Sequence, residues 1–254
     1  MPNTGDKLWA NTSLLLLFNG TAGTSVAKDS SRYANAVSAR NGVALSSTQY
    51  LFGGTSMYFD GSNDILEING AVSNTDGRFN FGTGDFCIEM FIWIGSSPSG
   101  DVRLINANFD PRDMPEVLLR ADRTLMVYSN ANWQYSTAAI PTSSWTHIAL
   151  DRNGTTERLF IGGVLDKSWT DSANYSLSTG KIFIGALDNG SITGVYNGYM
   201  DSLRITKASR YQSNFTPPTE ELPAFPFQAI PRKELAIKQP LRVNQNVTVS
   251  RMGL

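Results

Sequence analysis

In the stretch Phe86–Ile94, FCIEMFIWI, alternate residues fall on opposite faces of an extended chain. Phe86, Ile88, Met90, Ile92 and Ile94 share one face, and Cys87, Glu89, Phe91 and Trp93 share the other. The first face reads as core. Short runs of the same kind recur along the chain: Ser56–Asp60, Ile65–Ile68, Arg103–Asn108, Glu116–Arg120, Leu125–Ser129, Trp133–Ala138, Trp145–Arg152, Glu157–Ile161, Val164–Trp169, Lys181–Ala186 and Gly198–Thr206. Turn residues separate them, as in Gly61-Ser62-Asn63-Asp64, Asp151-Arg152-Asn153-Gly154 and Gly162-Gly163. No stretch holds an apolar repeat of helical period over several turns. The chain is therefore expected to be all-β, a two-sheet antiparallel β-sandwich rather than two small domains.

The ends differ from this body. Residues 1–11 read as a polar N-terminal arm, 12–221 as the sandwich and 222–254 as a basic C-terminal extension. Leu14–Phe18 fits a strand buried on both faces, and Thr21–Gly42, rich in Gly, Ser, Asn and Ala, reads as a long loop. From Leu222 onward five basic side chains oppose Glu234 alone, in a segment broken by Pro223, Pro226, Pro231 and Pro240. Within it Leu241, Val243, Val247 and Val249 lie on one face of a strand pattern, which implies pairing with a partner's sheet edge.

Several function classes are disfavoured. A net charge of −1 gives no field for neutralising phosphates, so no nucleic-acid partner is expected. The apolar run at Leu14–Phe18 is far too short to cross a membrane, and no charged leader with a cleavage site precedes it. The single cysteine, Cys87, excludes an intrachain disulfide framework and a multi-cysteine metal site. It reads as a buried structural thiol. Glu89 lacks an acidic companion on its strand, and His147 has no Ser or Cys nucleophile motif nearby, so an enzyme is not expected.

Two features ask for a role. In YNGYMDSLRITKASRYQSNFTPP, Tyr196–Pro218, alternation places Asp201 with Tyr199, Leu203 and Ile205 on the apolar face. A coreward carboxylate needs a cation or backbone N–H donors, and both remain open. The second feature is a set of aromatics on faces opposite the core. Trp93, Tyr128, Trp133 and Tyr135 could form platforms for carbohydrate.

Taken in order, FDGSNDILEI (Phe59–Ile68), FCIEMFIWI, WTHIALDRNGTTERLFIGGVL (Trp145–Leu165), IFIG (Ile182–Gly185) and GYMDSLRI (Gly198–Ile205) resemble the laminin-G-like branch of the concanavalin A-like lectin/glucanase superfamily. The resemblance implies a jelly-roll sandwich and a possible structural Ca²⁺ held by Asp201, with Asp29, Asn19 and Asn35 as helpers. The acidic strand motif of the related glucanases is missing here. The ending DSLRITKASRYQSNFTPPT resembles, more narrowly, laminin-G-like domains of tailed-bacteriophage structural proteins. That implies a non-enzymatic virion protein, a head decoration or a tail fibre or appendage component. It would be made in the host cytoplasm and contact other virion proteins and copies of itself as a homo-oligomer. The alternative is a carbohydrate-binding adhesin domain that recognises host-surface glycans.

Overall fold

The computed structural model describes residues 5–69, 77–107, 113–177 and 181–228. Seventeen strands follow one another in chain order. They are β1 Thr12–Leu16, β2 Ala36–Arg40, β3 Ala44–Ser46, β4 Ser56–Asp60, β5 Ile65–Asn69, β6 Phe86–Trp93, β7 Val102–Asn106, β8 Glu116–Leu119, β9 Thr124–Ser129, β10 Asn132–Ala139, β11 Thr146–Asn153, β12 Thr156–Ile161, β13 Val164–Thr170, β14 Ile182–Ile184, β15 Leu187–Asp188, β16 Ile192–Thr193 and β17 Asn197–Thr206. Eight form one antiparallel sheet in the order β13-β12-β11-β6-β17-β4-β3, with β1 also on β17, and seven form a second in the order β10-β9-β8-β7-β14-β5-β2. The short β15–β16 hairpin stands apart. The fold is the expected all-β, two-sheet sandwich.

Alternating side chains of the two sheets meet in one core. Ile88, Met90 and Ile92 of β6 and Ile148 and Leu150 of β11 pack against Leu104, Val117, Leu125 and Val127 of the second sheet's strands. Between Ala36 and Ser46 the chain forms two strands, β2 and β3, the first of them inside the expected loop. Both are short, and β2 is exposed or half-buried throughout, so neither leaves an apolar signature in the sequence.

β17 is central. One side of it pairs with β6; on the other, β4 takes Asn197–Met200 and β1 takes Leu203–Thr206. The register on β6 slips between Asp201 and Arg204, and Ser202 adopts a left-handed φ of 50°. This bulge overturns the expected facing of Asp201. Met200, Leu203 and Ile205 enter the core, whereas Asp201 pairs across from Phe91 on the outer face.

The ends join the body more closely than their composition implied. Asp6 is 6% exposed and pairs in parallel with Pro226, through Asp6 N–H to Phe225 O and Phe227 N–H to Asp6 O. Leu222 buries itself against Leu15 and Leu17, with Trp9 packed beside them. Residues 5–11 and 222–228 thus lie on the sandwich rather than apart from it. The partner-binding strand at Leu241, Val243, Val247 and Val249 lies outside the described residues.

Candidate functional site

The outer faces of the two sheets have different fates. On the first sheet the segment after β17 folds back as a strap over β6 and β11. Tyr211 and Phe215 stack with ring centroids 3.7 Å apart and cover Cys87, Ala149 and Phe160. Phe215 N–H donates to Gly163 O, and a Cβ at Gly163 would strike the Phe215 carbonyl, so that glycine permits the close approach.

Under the strap lies a polar network that no local sequence motif announced. Arg204 Nε donates to Glu89 Oε1 at 2.8 Å, Tyr211 OH donates to Glu89 Oε2 at 2.7 Å, and His147 Nε2 lies 3.1 Å from the same Oε2. Asp6 completes it, receiving Arg204 Nη1 at 3.1 Å and Arg210 Nη2 at 2.7 Å. Burial alone would raise the Glu89 carboxyl, but Arg204 and His147 outweigh it and hold the group well below the usual carboxylate range. Burial opposes the charge of Asp6 likewise, and Arg210 and Arg204 keep its carboxyl low. Burial pushes the Cys87 thiol well up, so it is a poor nucleophile. Glu89 thus joins the strap to β17 and β11, while His147 Nδ1 is buried with no partner among the described residues.

A second buried cluster sits beside β12 and β13. Arg152 donates to Asp171 Oδ2 at 3.2 Å and lies between the rings of Phe86 and Tyr175, 4.9 and 5.0 Å from their centroids. Glu157 accepts Trp169 Nε1–H at 3.0 Å, while its Oε1 is buried with no partner among the described residues. Burial, reinforced by Asp171, pushes the Glu157 carboxyl well up.

Asp201 is satisfied by backbone. Its Oδ2 accepts Leu51 N–H at 3.0 Å and Phe52 N–H at 3.1 Å, and Ser202 Oγ donates to its Oδ1 at 3.2 Å. The position follows from topology, since Asp201 fills the gap where pairing on β17 passes from β4 to β1. Burial nevertheless pushes its carboxyl up to about 6, and the neighbouring Glu221 adds to the rise. Asn19 Nδ2 donates to Glu221, which places that amide in the same neighbourhood. The four expected calcium ligands do not assemble. Asp29 and Asn35 form a separate cluster on the far side of β1, where the Asp29 carboxylate takes N–H groups of Leu15, Ser31 and Asn35, the Ser31 hydroxyl and the Asn35 amide. Among the described residues no three His, Cys, Asp or Glu side chains gather as a metal cluster. Glu221, bonded to the Asn19 amide, acts on Asp201 only as a neighbouring like charge.

The second sheet leaves its outer face open at the β9–β10 edge, whereas β8 is buried throughout. β10 is an edge strand on which only Ser136 is buried. Its register with β9 places Trp133 opposite Tyr128 and Tyr135 opposite Met126. Trp133 is 41% and Tyr135 44% exposed. The rings of Tyr128 and Trp133 lie 4.3 Å apart, and the Arg120 guanidinium sits 5.3 Å from the Tyr135 ring. The result is a strip of three aromatics beside a guanidinium that is itself paired with Asp122 at 2.9 Å. Asp166 accepts Thr137 and Ala138 N–H, which closes part of the strand's open edge. Trp93 belongs elsewhere: it lies on the first sheet, its ring 5.4 Å from Tyr199. The four candidate aromatics therefore fall into two separate groups, because β6 and β10 are on different sheets.

A sequence model of the Laminin_G_3 family, described as the concanavalin A-like lectin/glucanases superfamily, matches residues 60–214. The chain belongs to this superfamily. No curated protein matches it. Among solved structures, the binding domain of Paraclostridial Mosquitocidal Protein 1 superposes with TM-score 0.61 at 16% identity, over 80% of this chain and 50% of that one. The receptor binding domain of botulinum neurotoxin D gives 0.60 at 16% identity, over 80% and 50%. A structure titled for the dependence of botulinum neurotoxin C cell entry on two ganglioside molecules gives 0.57 at 13% identity, over 80% and 49%. The chain spans about half the length of these structures, and at such identities the likeness is one of fold. The protein is thus a lectin-like concanavalin A-type domain.

Proposed function

We propose that this domain is a non-enzymatic carbohydrate-recognition module that binds surface glycans through Tyr128, Trp133 and Tyr135. The observation that carries this reading is the open aromatic strip on β9 and β10. Large rings held out of a sandwich's core present flat apolar faces to the C–H faces of sugar rings, while Arg120 can donate to hydroxyls or an acidic substituent. Membership in the lectin/glucanase superfamily supports it, as do structural neighbours that are toxin receptor-binding domains, one tied to ganglioside interaction. Glycan-array binding by the whole chain that disappears in Trp133→Ala with an unchanged melting temperature is the expected result. Binding unaffected by that substitution overturns the assignment.

For context we infer a tailed-phage virion, assembled in the host cytoplasm, with the domain on a head decoration or tail appendage. The resemblance of residues 201–219 to phage structural proteins supports this, as does the basic segment after Leu222 with its alternating apolar pattern at Leu241, Val243, Val247 and Val249. That segment would join copies of the chain or other virion proteins. Deletion of Pro231–Leu254 should leave the sandwich folded but keep the protein out of purified particles; incorporation at the normal level removes the segment from the account. A structural Ca²⁺ at Asp201 would neutralise its carboxylate at the end of the β4 pairing.

A further inference from the structure

A second aromatic group, on the opposite sheet from the strip, adjoins a polar hollow at the end of the sandwich. Three neighbouring strands are built alike there. β4 carries Tyr58, β6 carries Trp93 and β17 carries Tyr199, all half-buried on the outer face, with Tyr199 paired across to both of the others. The Tyr58 and Tyr199 rings lie 4.8 Å apart, and Trp93 meets Tyr199 edge-on at 5.4 Å. Just beyond these rings the same strands run into a hollow of about 230 Å³. Ser96, Ser97 and Ser99, from the loop after β6, and Asn197, at the start of β17, line it over an apolar floor of Val102 and Val195. The Trp93 ring packs over Gly95, the residue directly before Ser96 at the rim of the hollow.

The frame is rigid where it must be. Buried Tyr196 donates its hydroxyl to Trp93 O at 2.8 Å, with Tyr199 O at 3.2 Å, and so ties β6 to β17 behind the rings. A Cβ at Gly61 would meet the Asn197 side chain at 2.8 Å, so that glycine lets the side chain lie close against the β4–β5 turn. None of the described side chains lining the hollow is charged.

We propose that this hollow, with Tyr58, Trp93 and Tyr199 as its platform, is a second saccharide site, selective for a neutral sugar ring. Serine hydroxyls both donate and accept, and an amide does each at a different atom, which matches the hydroxyls of an uncharged hexose. A phosphate, sulfate or carboxylate would find no cation there. The size agrees, being below the roughly 300–1,000 Å³ of clefts that take drug-sized ligands, so a single ring fits rather than a chain buried end to end. The inference rests on the domain being a glycan binder but not on the β9–β10 strip. Two sites on opposite sheets would let one copy bridge two glycan chains, so that weak sites act together.

The test is indole N–H NMR on the full chain, with Trp93→Phe and Trp133→Phe assigning the two signals. Glucose, galactose, mannose and N-acetylglucosamine are titrated separately. At least one should move the Trp93 signal, and the Ser97→Ala/Asn197→Ala double variant should bind that sugar about tenfold more weakly. Trp133→Ala should leave that titration unchanged. If these sugars move only the Trp133 signal, the second site falls and the strip stands. If glycan arrays show binding yet the Trp93 signal stays still in all four titrations, or if the double variant binds normally, the second site is likewise overturned. If nothing binds in either assay, both readings fall together.

Discussion

Arg204 Nη2 stands 2.7 Å from Glu89 Oε1, and the two side chains are 5% and 1% exposed. A buried pair of this kind joins β17 to its neighbour β6, and the strap carrying Tyr211 is hydrogen-bonded to the same carboxylate. Removing one partner strands the other without solvent. Arg204→Ala should therefore cost about 3–5 kcal/mol, read as a lowered urea midpoint. Glu89 has its folded-state pKa lowered, so its contribution is present above the unfolded value and is lost as pH falls through the range below it. Wild type should lose stability in that acid range, and Glu89→Gln should show a flatter profile. Equal acid slopes would contradict the assignment.

Glu157 titrates in the opposite sense. Its folded-state pKa is raised by burial and by Asp171, so its contribution is complete below the ordinary carboxylate value and declines as pH climbs towards the raised one. Glu157→Gln keeps the shape, including an acceptor for Trp169 Nε1–H. It should become progressively more stable relative to wild type as pH rises from about 5 to 8. Thermal melts across that range decide, and a constant difference would show that Glu157 is charged in the fold.

Asp201 gives a metal test with two arms. Without a cation its raised pKa of about 6 means that stability contributed by the neutral form fades as pH rises through that value. Ca²⁺ added at pH 7.5 should raise the melting temperature and EDTA should reverse the gain. Asp201→Asn should abolish the response while retaining an acceptor for Leu51 and Phe52 N–H. A melting temperature indifferent to Ca²⁺ in the wild type removes the metal.

Trp133→Ala removes a half-exposed ring from an edge strand, so stability should change by no more than about 0.5 kcal/mol. Glycan affinity, in contrast, should drop roughly tenfold or more, as measured by calorimetry with a glycan chosen from the array. Arg120→Ala should weaken acidic glycans more than neutral ones.

The sandwich was legible because its strands alternate cleanly; Phe86–Ile94 and Thr146–Asn153 show it without help. β2 was not, since Ala36–Arg40 is exposed or half-buried and offers no apolar period. The facing of Asp201 was misread for a reason of geometry. A bulge at Ser202 shifts the parity of everything after it, and a serine gives no warning of a left-handed φ as a glycine would. Periodicity marks Trp93, Trp133 and Tyr135 as outward-facing but reports a face without saying which sheet, so it cannot separate Trp93 from the other two. The Glu89–His147–Arg204–Asp6 network was hidden more deeply. Its members lie as far as 198 positions apart and meet only once the strands pair.

The parallel contact of Asp6 with Pro226 also has a mechanical meaning. Parallel neighbours leave their contact in opposite directions, so a pull between the segments flanking residues 5 and 228 loads it in shear, several bonds at once, rather than unzipping them singly. Asp6 N–H and Asp6 O share that load, and Arg204 and Arg210 on the Asp6 carboxylate pass it to β17 and to the strap.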